Sequence, residues 1–205
     1  MSVPDPESLS KRIVGAFHLI PEQAPVRDYQ GPWNKLLNYL FPPDSPYTVI
    51  PRDYYPIVAT KEQSGLAAVD AENQPQLWFA KFEVQYESLP VLLVLVATPA
   101  VVGAPLARKL ADTETRRQVA ALQELCPLPK MRAICAFGPF MCLFTSETTS
   151  SESEVGIQPP KIDAGDDSAA DVAPRDRWSS FLTPEGQIMV LEVVQQIKKE
   201  CEAEG

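Results

Sequence analysis

The chain has 205 residues, 45% of them hydrophobic and 22% charged, which suits one sizeable core and excludes a wholly disordered polymer. Its net charge of -9, from 27 acids against 18 bases, sets it against nucleic acid, whose phosphates reward basic surfaces. Proline, at 21 residues, runs at roughly twice its usual share and cuts the chain into short elements.

The first predicted element is an amphipathic helix over residues 7–20, with Leu9, Ile13, Phe17 and Ile20 at helical spacing and Ser8 or Ser10 as cap. A second short helix spans 33–40, where Trp33, Leu36, Leu37 and Leu40 face a core until Pro42 and Pro43 stop it. Residues 1–45 thus form a helical N-terminal part. The periodicity then changes. Residues 47–51 and 54–59 read as short strands, and 65–75 as a polar turn. Residues 77–86 alternate, with Phe82, Val84 and Tyr86 on one face and Lys81, Glu83 and Gln85 on a solvated one. Glu87, Ser88 and Leu89 make a turn. Residues 91–97 are apolar without alternation, the pattern of a central strand covered on both faces.

A helix follows over 108–125, carrying Leu110, Val119, Leu122 and Leu125, and then a buried strand pair over 131–144 punctuated by Gly138 and Pro139. These segments make residues 47–144 the core. Residues 146–176 read as a flexible acidic insertion, softest at 146–154 and 163–171, with a short extended piece at 155–162. Thr183 caps a last helix over 183–204, whose stripe is Ile188, Leu191, Val194 and Ile197, flanked by Val190. Lys198 and Lys199 near its end complement the helix dipole. The expectation is a single-domain α/β (α+β) protein with a central mixed sheet flanked by helices.

Chemistry-bearing motifs are sparse. His18 is the only imidazole, and a nucleophilic triad needs a base beside its nucleophile. Cys126, Cys135, Cys142 and Cys201 lack metal-ligand spacing; Cys135 and Cys142 sit in apolar surroundings and read as small buried hydrophobes. No glycine-rich phosphate loop is present, and no cofactor is predicted. The best basic patch, Arg108, Lys109, Arg116 and Arg117, is interrupted by Asp112 and Glu114, so nucleic acid is a disfavoured partner. The apolar run 89–107 is broken by Pro90, Pro99, Gly103 and Pro105 and does not read as a membrane span. With a polar start over residues 1–12 and reduced thiols, an intracellular setting, cytoplasmic or nuclear, is expected.

Four stretches in order carry a resemblance: AKFEVQYESLPVLLVLVATPA, ARKLADTETRRQ, AICAFGPFMCLF and DVAPRDRWSSFLTPEGQIMVLEVVQQIKKEC. Over residues 47–201 the chain resembles uncharacterised fungal proteins with a restriction-endonuclease-like, PD-(D/E)xK fold. That resemblance implies a hairpin with an Asp on one strand and Glu-x-Lys on the next, whose carboxylates hold Mg2+. Here the Glu position falls on Leu95, the Lys position on Ala97, the preceding Asp on Leu77 or a neighbour, and the polar Gln of the following helix near Glu114. Leu, Leu and Ala offer a hard cation no oxygen.

The resemblance therefore implies a nuclease-like domain with a degenerate site and no catalysis, working as a binding or scaffold module for an unknown protein. Two alternatives stand beside it. One is a metal-dependent nuclease with a displaced acid set, Asp70, Glu83 and Gln85, against which Glu83 and Gln85 read simply as the exposed face of an alternating strand. The other is a small apolar ligand held in the remodelled cleft.

Overall fold

A computed structural model describes residues 11–59, 76–148, 156–163 and 171–204. The first helix, α1 (Lys11–His18), buries Ile13 and Phe17 and leaves His18 exposed. The second, α2 (Val26–Leu40), is longer than its leucine pattern suggests. The helix runs through Gly31 and Pro32, and Val26 and Tyr29 extend the buried stripe of Trp33, Leu36, Leu37 and Leu40 back by two turns. Pro32 forgoes one helical hydrogen bond, and the burial of that stripe outweighs the loss. Each buried aliphatic or aromatic side chain contributes roughly 1.5–3 kcal/mol.

Six strands form one mixed sheet in sequence order: β1 (Tyr47–Val58), β2 (Gln76–Tyr86), β3 (Leu89–Ala97), β4 (Lys130–Phe137), β5 (Phe140–Glu147) and β6 (Ser179–Ser180). The two strands expected at 47–59 are a single strand, β1, with a register shift between Pro51 and Tyr54. All neighbours pair antiparallel except β3 and β4. A parallel pair needs a crossover, and α3 (Pro105–Gln123) supplies it after a 3-10 turn at Pro99–Val101. The unalternating run is central, and every residue from Pro90 to Ala97 is buried. The last helix, α4 (Pro184–Glu204), completes the α+β architecture. Among the described residues no helix is long and apolar enough to cross a membrane.

Side-chain parity assigns the faces. Tyr55 and Lys81 reach Glu114 and Gln118 on α3, and the Cys135 thiol approaches the Ala111 carbonyl, so α3 covers one face. On the other face, the Trp33 indole N–H of α2 donates to the Gly138 carbonyl at 3.0 Å, and Arg132 forms a two-point pair with Glu200 of α4. Thr183 caps α4, its hydroxyl accepting from the Gly186 N–H. The stripe of α4 is Val190, Leu191, Val194, Ile197 and Cys201, while Ile188 points outward.

Two hairpin turns fix the register around β3. Glu87 and Ser88 both have positive φ (48° and 74°), the backbone that matches strand twist in a two-residue turn. Gly138, at φ 56°, opens the β4–β5 turn; a Cβ there would lie 2.9 Å from the Tyr29 ring. Its N–H donates to the Ala97 carbonyl at 2.8 Å, tying the turn to the end of β3.

The chain after β5 is held by arginines of α3. Arg116 grips Asp112 with two N–H groups and donates to the carbonyls of Ile157 and Pro159. Arg108 donates to the carbonyls of Val102 and Ala173 and pairs with Asp171. Gln158 forms a bridge with Thr145 of β5 inside the stretch read as extended. The rest of the acidic stretch, residues 149–155 and 164–170, lies outside the described residues.

These contacts correct the reading of a basic surface patch. Arg108 and Arg116 are buried, because two successive steps of four along the helix, through Asp112, place both on the face that meets the returning chain. Neither presents its guanidinium to a phosphate.

Candidate functional site

The cleft positions lie where β2 and β3 pass beneath α3. Leu95 is 0% exposed, with Lys81 of β2 as its direct antiparallel partner and Cys135 of β4 as its parallel one. Ala97 is likewise fully buried, at the end of β3 beside Phe137. Leu77 is buried on β2 opposite Ile57, two residue pairs away from Lys81 along the same face. The sheet alternation that brings these three residues under one helix also fills the space with hydrocarbon.

Around this apolar floor runs a polar network. The Lys81 ammonium donates to Gln118 Oε1 at 2.8 Å, and the Gln118 amide donates to Glu114 Oε1 at 2.8 Å. The Tyr55 hydroxyl donates to the same carboxylate at 2.8 Å, and Arg117 contributes two N–H groups at 2.6 and 2.7 Å. Leu95 and Glu114 are therefore linked through Lys81 and Gln118. Tyr55, Lys81 and Gln118 were not among the residues picked from sequence. The spacing of Glu114, Arg117 and Gln118 on one helix was the visible clue; the strand partners are distant in sequence.

Glu83 departs from expectation. Alternation puts it on a solvated face, yet it is 5% exposed, because that face lies toward α3. Arg52 reaches its carboxylate at 3.2 Å and the Gln85 amide donates to it as well. Glu83 and Gln85 thus come together, whereas Asp70, the third member of the displaced set, lies outside the described residues.

The chemistry open to this arrangement is narrow. Burial raises the Glu114 carboxyl, but hydrogen bonds from Arg117, Gln118 and Tyr55 more than reverse it, and its pKa falls below the usual carboxylate range. Tyr55 is pushed up by burial and by its bond to Glu114, so it keeps its proton. General acid–base catalysis needs a group poised near the working pH, and neither qualifies. Among the described residues no three His, Cys, Asp or Glu side chains gather as a metal would need. At the positions where the resemblance would put its acids and its lysine, Leu77, Leu95 and Ala97 have no side-chain donor to offer Mg2+.

The cysteines are also quiet. All four are free and buried, and burial pushes the Cys142 thiol up to about 12. A nucleophilic cysteine needs the opposite shift. Compared with protein-family models, with curated proteins and with solved structures, the chain matches none.

Proposed function

We propose that this chain is a catalytically inactive nuclease-like domain that serves as a binding or scaffold module. The observation that carries the reading is the complete burial of Leu95 and Ala97 on the central strand, where the resembled fold would keep its Glu and Lys. The order of the core supports it too: three antiparallel strands, a crossover helix, then a strand parallel to the third. Both carboxylates nearby are neutralised, Glu83 by Arg52 and Glu114 by Arg117. A metal-dependent hydrolase draws its nucleophile and charge stabilisation from the ion, and here the ligands are missing.

The partner in this reading is a protein. Nucleic acid is disfavoured by the net charge of -9 and by the burial of Arg108 and Arg116. A small apolar ligand in the cleft fits less well, since Leu95 and Ala97 have no free surface to offer it. An intracellular setting agrees with four free thiols.

Calorimetric titration with Mn2+, run beside plasmid and RNA nicking assays, tests the proposal. No specific heat and no cleavage are expected. Nicking that survives purification and disappears in Glu83→Ala would overturn it in favour of the Asp70, Glu83 and Gln85 set.

A further inference from the structure

The face of the sheet opposite the filled cleft carries an apolar strip. Tyr54, Pro56 and Val58 of β1 and Trp78 of β2 alternate onto one side of the strand pair, with Pro56 directly opposite Trp78 and Tyr54 diagonal to it. Tyr54 is 45% exposed, Val58 41% and Trp78 39%. The Tyr54 and Trp78 rings stack with 4.9 Å between centroids and 22° between planes, so each holds the other's orientation. Among the described residues the other exposed large apolar side chains, Leu19, Leu89, Leu125 and Ile188, come singly from different parts of the fold and need no partner.

The strip is uncharged and small. None of the residues that alternate onto this side, at Tyr54, Pro56 and Val58 or from Gln76 to Phe82, carries a charge. Taking about 150–250 Å² for a whole aromatic side chain, the four exposed side chains together offer roughly 300 Å². A stable pairing of two copies buries about 800 Å² on each, so the strip alone does not hold a dimer. Its length suits a short extended segment. Gln76 to Phe82 spans about 20 Å at about 3.3 Å per residue. Six or seven residues of a polyproline II helix cover that distance at about 3.1 Å each. At the Phe82 end the sheet and α2 part beside Pro51 and Gly31, leaving an opening of about 320 Å³ that can receive a side chain.

We propose that this strip is the docking surface for a proline-rich segment of another protein, bound as a polyproline II helix with Trp78 and Tyr54 as its anchors. Aromatic side chains are the usual seats for such segments. A polyproline II backbone makes no internal hydrogen bonds and stays solvated, so it asks an apolar wall for no donor or acceptor. The stacked rings already hold each other, so binding costs them little conformational freedom. Asp53 stands exposed in the register shift beside Tyr54, and the chain carries a net charge of -9, so a segment with a lysine or arginine at one end is favoured. Such a segment gives the binding module a partner class. Its seat lies on the face away from Leu95, so this assignment and the nuclease-like reading stand or fall separately.

Trp33 and Trp178 are buried, which leaves Trp78 as the indole that a quencher in solution can reach. The test is titration of the full chain with a synthetic peptide of about ten residues, rich in proline and ending in arginine, followed by calorimetry and by acrylamide quenching of tryptophan fluorescence. Saturable one-to-one binding that shields Trp78 from the quencher is expected. The same peptide with glycine in place of every proline should bind far more weakly, since it has to be ordered on binding. Trp78→Ala and Tyr54→Ser should each weaken binding about tenfold or more in calorimetry, as the loss of an aromatic anchor does. Circular dichroism checks that each variant is folded, and where one is not, the other decides. Leu125→Ser, at an exposed leucine elsewhere, should change nothing. A titration that fails to saturate, equal binding of the glycine peptide, or parental binding by a folded Trp78→Ala or Tyr54→Ser variant would each overturn the assignment. So would a parent chain that dimerises in sedimentation while Trp78→Ala stays monomeric, for the occupant would then be a second copy.

Discussion

Replacing Leu95 with glutamate tests whether the cleft is filled. Leu95 is fully buried, with Lys81 and Cys135 as its neighbours across the sheet. Losing its apolar burial costs about 2–3 kcal/mol. If the new carboxyl ionises, the cation across the strand pair is Lys81, whose ammonium is engaged by Gln118. If it stays protonated, its folded pKa rises above an unfolded value of about 4.3, at roughly 1.4 kcal/mol per unit when the solution is neutral. A rise of about two to three units adds about 3–4 kcal/mol, for a total near 5–7 kcal/mol at pH 7.5.

The sign follows from the raised folded pKa. The proton-linked penalty is absent below the unfolded pKa, grows as pH rises through it, and levels off above the folded pKa. Urea denaturation should therefore give a gap to the parent of about 2–3 kcal/mol near pH 4 that widens toward neutrality. Leu95→Gln has the shape without the proton, and its gap should stay flat with pH. A Leu95→Glu variant as stable as the parent at pH 7.5, or one that gains a Mn2+ site, would refute a filled cleft.

Other outcomes follow from single features. Glu87→Asn combined with Ser88→Gly suits the two positive φ angles and should raise stability by about 1 kcal/mol in thermal unfolding. Gly186→Ala would drive a Cβ to 2.0 Å from the Ser180 carbonyl oxygen and should cost about 3 kcal/mol, whereas Gly31→Ala meets nothing and should gain about 0.5–1 kcal/mol. Equal effects of the two glycine changes in urea melts would contradict the packing at α4. Glu114 has a lowered folded pKa, so its stabilisation is present above the unfolded value and lost as pH falls through the folded one. Glu114→Gln should accordingly be less stable than the parent at pH 7 and approach it as both are acidified below pH 4; a gap that persists would mean the carboxylate charge is not what matters.

Much of the framework was legible because burial writes itself into periodicity. The unbroken apolar run after Pro90 announced a central strand, and the spacing of Leu110 and Val119 announced the crossover helix. The same apolarity marked Leu95 and Ala97 as buried, whereas Leu77, on the side of its strand read as solvated, is buried as well. What escaped depends on long-range partners. Glu83 alternates like a solvated residue, and Arg52 from the neighbouring strand, together with the Gln85 amide, makes its burial tolerable. Arg108 and Arg116 have the pattern of a charged helix face, and a pattern cannot tell water from backbone carbonyls as the acceptor. The helix read as starting at Trp33 begins at Val26, because the buried stripe on either side of Gly31 and Pro32 carries it through them.

The sheet's outer strand also limits how a partner can attach. β1 carries Pro51 and Pro56, each lacking an amide donor, and its ladder is displaced between Pro51 and Tyr54. A peptide adding itself alongside would meet an interrupted row of hydrogen-bonding groups and could not keep register along the strand's length. At the opposite margin β6 is two residues long. Recruitment by strand addition, and the open-ended stacking that begins the same way, are therefore both resisted, and any protein partner would have to read side chains.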